Sequence, residues 1–193
     1  MSAFTRRAAP ALILLAPLLA DSALAQPVPP GQEGELGKLL APVHGRKICF
    51  ARTYDAAHLK RHPKQTVTAL LFRLEYHRHD PDPPNYPQGQ RNYYFRMAAK
   101  VKGQHKTLHA SGECVPGGKS IGCGVECDGG GVGVERAPKG DAIIITLDDR
   151  IRMTLGCDGD EDNTIDLTPG ADDKAFRLDK VGLTACAPLD RNR

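Results

Sequence analysis

Between residues 66 and 114 apolar and polar side chains alternate with a period of two, as expected of half-buried strands. Thr68, Leu70, Phe72, Leu74 and Tyr76 fall on one face, with Arg73, Glu75 and His77 on the other. After a Pro-rich loop, Tyr93, Phe95, Met97, Ala99 and Val101 alternate with Tyr94, Arg96, Ala98, Lys100 and Lys102. An antiparallel register that pairs Tyr76 with Tyr93 also sets Leu74 opposite Phe95, Phe72 opposite Met97 and Leu70 opposite Ala99, all on the buried face. A turn at Gly103-Gln104 continues the parity, with Leu108 opposite Ala99 and His109 opposite Ala98. A two-residue turn at Gly118-Lys119 then places Cys114 opposite Cys123, with Ile121, Val125 and Cys127 inward.

The same patterning marks the rest of the chain. Arg46 to Tyr54 reads as a first strand carrying Ile48, Cys49 and Phe50. Asp55 caps a short helical turn that Pro63 ends. Ala142 to Leu147 is apolar on both faces, Ile151, Met153 and Leu155 alternate with Arg150, Arg152 and Thr154, and Ile165, Leu167, Phe176 and Leu178 close the series. There is no long helix and no internal repeat. The expected fold is all-β, an antiparallel meander of about ten short strands closed as a barrel or folded as a sandwich.

The N-terminus changes the compartment. Arg6 and Arg7 precede an apolar run, Ala8 to Ala20, and Ala23-Leu24-Ala25 follows before Gln26, the layout of a cleaved signal peptide. The run falls short of the roughly 20 apolar residues that span a bilayer, so no transmembrane segment is expected in the mature protein. The expected organisation is a signal peptide at 1–25, a flexible Pro/Gly-rich arm at 26–43 and a single β domain at 44–193, secreted or periplasmic. All six cysteines lie in that domain, and in an oxidising compartment an even count reads as disulfides. Parity pairs Cys114 with Cys123. Cys123 and Cys127, about 13 Å apart on an extended strand, are too distant to bridge. That leaves Cys127 for Cys157 and Cys49 for Cys186.

Charge is unevenly divided. Residues 44–119 hold 14 Lys/Arg against 5 Asp/Glu, whereas 120–193 hold 9 against 15. Such asymmetry either neutralises across the fold or steers a partner. The second reading places Arg73, Arg96, Lys100, Lys102 and His109 on one basic sheet face that meets an anionic envelope component or an acidic protein patch. Nothing in the pattern points to nucleic acid.

No constellation names a reaction. Gly118-Lys119-Ser120-Ile121-Gly122 matches G-x-S-x-G, but a nucleophile elbow needs a strand-to-helix turn and here a hairpin is expected. The P-loop spacing fails because Glu113 stands where its first glycine belongs. All seven histidines lie between His44 and His109. They read as a solvated face, with a metal site at His77, His79 and Asp80 as the alternative. His58 and His62 are four apart, but Lys60 and Arg61 beside them repel a cation. Residues 158–166 echo a calcium loop yet lack its glycine and its closing glutamate. No cofactor motif is present. The sequence therefore points away from an enzyme and toward a β-domain that binds a partner or ligand through loops or its basic face. The alternatives are a histidine-based metal protein or metal-dependent enzyme, and a barrel holding a small apolar ligand.

Overall fold

The computed structural model describes residues 28–154 and 163–190. Ten strands form one antiparallel sheet: β1 (Lys47–Thr53), β2 (Val67–Arg78), β3 (Arg91–Val101), β4 (Leu108–Gly117), β5 (Ser120–Gly124), β6 (Gly131–Arg136), β7 (Ala142–Thr146), β8 (Ile151–Thr154), β9 (Thr164–Leu167) and β10 (Ala175–Val181). Of the two architectures left open by the sequence, the barrel is the one formed. Strands β1 to β7 follow one another as neighbours, and β10 pairs with both β7 and β1, so eight strands close on themselves. The β8–β9 hairpin is inserted between β7 and β10. It joins the ring at the end of β4, where His109 faces Thr154, and buries Ile151 and Met153 in the barrel core.

The registers match those the alternation requires. Tyr76 faces Tyr93, Leu74 faces Phe95, Phe72 faces Met97 and Leu70 faces Ala99. Leu108 faces Ala99, His109 faces Ala98 and Cys114 faces Cys123. Register holds because one slip would turn every large side chain of β2 and β3 out into water. The β4–β5 hairpin turns at Gly118, whose φ of +75° favours glycine. Gly112 is required for another reason: a Cβ there would collide with the Gly124 carbonyl and the Phe95 ring.

Large aromatic side chains fill the space between the described strands. Phe50, Phe72, Tyr93, Phe95 and Phe176 are each 2% exposed or less, so no water-sized space borders them. Phe72 and Phe95 stack with centroids 5.9 Å apart, and Tyr76 meets Tyr93 edge-on at 5.0 Å. This packing leaves the apolar-cavity alternative without room around these side chains.

Two disulfides follow the expected pairing. Cys114 and Cys123 staple the central hairpin, and Cys49 on β1 is joined to Cys186 in a C-terminal 3-10 helix, Leu183–Leu189. That helix caps the outer face of β1, β2 and β3. Beneath it Cys49, Ala98, Cys186 and Leu189 form a second, smaller core, with Leu71 and Val181 packed against them.

Three features depart from the sequence reading. Cys127 does not face inward: it is exposed, with φ of +54°, and Asp128 follows at +59°. Strand β5 has already ended at Gly124, so the two-residue parity has nothing to carry it to Cys127. Its expected partner Cys157 and most of the calcium-like loop lie outside the described residues, as does the signal-peptide region. The arm at 26–43 is also docked in part. Gly34–Leu39 forms α1, Leu36 and Leu40 are buried in the barrel core, and the Tyr93 hydroxyl donates to the Leu40 carbonyl at 3.1 Å. Leu36, Leu39 and Leu40 carry helical spacing that the surrounding Pro and Gly obscure. Finally Asp173, whose Asp172-Asp173 pair after Pro169-Gly170 reads as a turn, is 2% exposed. It accepts from the Thr66 backbone N–H and hydroxyl, both at 2.6 Å, and from the Val67 N–H at 3.2 Å, tying the start of β2 to the loop before β10.

Candidate functional site

Outward-pointing side chains of β1 to β4 make one continuous face, which the C-terminal cap divides into two exposed ends. In the middle, Arg73 and Arg96 stand opposite each other on β2 and β3. Neither is available as an open basic surface. Arg73 is 3% exposed and donates from Nη1 to Asp190 at 2.6 Å, with Glu75 3.8 Å from its other terminal nitrogen. Arg96 donates to the Leu189 carbonyl at 3.0 Å. Burial of a guanidinium is tolerable only with such partners. The bond from Arg73 holds the Asp190 carboxyl below its ordinary range. The expected basic face is thus corrected: Arg73 and Arg96 anchor the cap, while Lys100 and Lys102 remain exposed and His109 is half-buried.

Toward the β2–β3 loop lies a cluster of histidines. His77 and His79 share a face of the strand and its extension, with ring centroids 4.4 Å apart, and His44 from the segment before β1 comes within 4.7 Å of His77. His44 is a member the sequence spacing could not supply, because it arrives from a different segment. His79 Nε2 is 2.9 Å from the Tyr94 hydroxyl. Partial burial, with its histidine neighbours next, holds the His77 pKa below the ordinary value. Asp80 lines a neighbouring pocket of about 400 Å³ with His44, Arg78 and His79.

The pocket holds opposite charges, Arg78 against Asp80. The Arg78 backbone N–H donates to His44 Nδ1 at 3.1 Å, which leaves the ring proton of neutral His44 on Nε2 and removes that nitrogen as a ligand. Among the described residues no group of three His, Cys, Asp or Glu side chains is placed to hold a metal ion. His58 on α2 (Ala56–Arg61) stacks on His62 at the helix C-cap, centroids 4.4 Å apart, with His58 Nε2 bonded to Gln65 Oε1 at 2.9 Å.

At the opposite end of the face a groove of about 550 Å³ crosses β1 to β4. Its floor is Ala69 and Leu71 on β2 and Ala98 on β3, and Pro188 of the cap forms one wall. The groove exists because Ala69 and Ala98 are small where Arg73, Glu75 and Tyr94 fill the equivalent positions farther along the same strands. Its polar rim is Arg52, Lys100, Thr107 and His109. Arg52 Nη1 pairs with Asp179 at 3.2 Å and its guanidinium lies 5.5 Å from the Tyr54 ring centroid, while its Nε–H has no acceptor among the described residues. Desolvation by burial holds the His109 pKa below its ordinary value and so favours the neutral imidazole.

Of the residues singled out from sequence, Lys100 and His109 meet at this groove and His77 and His79 meet at the other end. Arg52, Ala69 and Ala98 were missed, since small and isolated residues become a site only when four strands lie side by side. Ser120 of the G-x-S-x-G match pairs with Gly117 across the β4–β5 turn, with no helix after it. No family model matches the chain, and neither a curated protein nor a solved structure matches it.

Proposed function

We propose that this protein is a non-catalytic binding domain, secreted or periplasmic, that takes an anionic ligand or partner on the groove between β1 and β4. The observation that carries this reading is the groove itself, an apolar floor with a cationic rim on an otherwise stapled and packed barrel. Its volume falls within the range of small-molecule sites. The two disulfides fit an oxidising compartment, and no helix among the described residues is long and apolar enough to cross a membrane. A stapled barrel with this rim suits retention and presentation of a ligand.

The test is amide chemical-shift mapping with a panel of small carboxylates, phosphates and sulfates and an acidic peptide. The expected result is perturbation centred on Ala69, Ala98, Lys100 and Thr107, weakening as salt rises from about 50 mM through physiological strength because exposed charges are screened. Perturbations centred elsewhere, or groove binding that ignores salt, would reject it.

A further inference from the structure

The groove carries more chemical detail than an anion site requires. Resting on the reading above, we infer that its ligand is a free single-chain carboxylate amphiphile, with the carboxylate at Lys100 and the chain lying across Ala69, Leu71 and Ala98.

Four observations define this class. The floor offers methyl and isobutyl groups with Pro188 beside them, a surface that gains by covering with hydrocarbon and offers few directed hydrogen bonds. The groove runs across four strands, and three inter-strand spacings make it roughly 14 Å long, the shape of an extended chain. Its polar groups sit on the rim, as an amphiphile demands. The cations there are Lys100, which is exposed and pairs with no carboxylate among the described residues, and Arg52, whose partner Asp179 is shared with Arg177. Lys100, the rim cation with no carboxylate of its own among the described residues, is the group that a ligand carboxylate pairs with. A folded acidic protein would contact the rim but leave the floor uncovered, because the groove is too small for a protein surface element to fill.

The decisive measurement is calorimetric titration with acetate, hexanoate, octanoate and decanoate, each below its micelle concentration, and with neutral octanol. Full burial of a methylene strengthens binding roughly fourfold, and burial on one side about twofold. Decanoate should therefore bind about tenfold or more tightly than hexanoate, and far more tightly than acetate. Octanol should bind more weakly than octanoate. Ala69→Phe fills the trough from a half-exposed position, and Lys100→Glu reverses the rim charge. Each should weaken decanoate at least tenfold while circular dichroism and the thermal midpoint show a folded barrel, and the two act through different parts of the ligand.

Equal affinity for acetate and decanoate, with groove amides still perturbed by other anions, would overturn the amphiphile assignment and leave the anion-binding reading standing. Decanoate binding that survives both substitutions would place the amphiphile elsewhere and overturn the assignment as well. If no anion of the panel perturbs the groove, both fail together.

Discussion

Asp173 shows how much one side chain decides in this fold. Its carboxylate is the acceptor for three donors at the start of β2, two of them backbone N–H groups that no strand partner reaches. Asp173→Ala leaves those donors without an acceptor, and the cost of orphaned buried groups sets the loss at about 2 to 3 kcal/mol. Asp173→Asn, which retains one acceptor oxygen, should lose less. Urea denaturation measures both; a loss under about 0.5 kcal/mol for the alanine variant would show that water replaces the carboxylate. Composition and spacing mark the Asp172-Asp173 pair as turn residues and cannot separate the buried member from the half-buried one. The contacts that distinguish them span 106 and 107 residues of chain.

Among the elements, the C-terminal 3-10 helix is the one whose position depends most on a single covalent link. Cys49–Cys186 closes 137 residues, against 9 for Cys114–Cys123. In the chain-entropy model these contribute about 5 and about 2.7 kcal/mol, and the shorter bridge joins strands the ladder already holds. A Cys49→Ala/Cys186→Ala double variant should therefore lose more stability than the Cys114→Ala/Cys123→Ala variant. It should also lose amide-exchange protection selectively over residues 183–190 before the barrel opens. Equal losses, or protection retained at the cap, would show that the Arg73–Asp190 and Arg96–Leu189 contacts hold the helix unaided. Strand alternation has no bearing on this element: seven residues containing Pro188 carry too little periodicity to predict, and its position is set by the disulfide and by two arginines on other strands.

For the molecule as a whole, the pH range of stability follows from groups whose pKa values differ between the folded and unfolded chain. His77 and His109 are held below the ordinary 6.5, and Asp190 below 3.8. In each case the unfolded state binds more protons over the intervening range, so stability falls as pH drops through it. Tyr54, Tyr93 and Tyr94 are raised above 10, each chiefly by burial. The unfolded state then loses protons first, and stability falls as pH rises past that value. The thermal midpoint should be level between about pH 6.5 and 10 and decline on both sides, the acid limb starting with the histidines. Histidine midpoints at or above 6.5 in an NMR titration would remove the assigned origin of that limb.

Alternation with a period of two was enough to determine the class of the fold, the registers of β2 with β3 and β3 with β4, and the Cys114–Cys123 pair, because each strand must put its large side chains on the same side to bury them. Elimination among the remaining cysteines pointed to Cys49–Cys186. The pattern did not determine whether the meander closes, since closure rests on β10 meeting β1. Nor did it determine which charges stay on the surface. Arg73 and Lys100 have the same parity on adjacent strands, and only the cap lying over one and not the other makes the first an anchor and the second the rim of a groove.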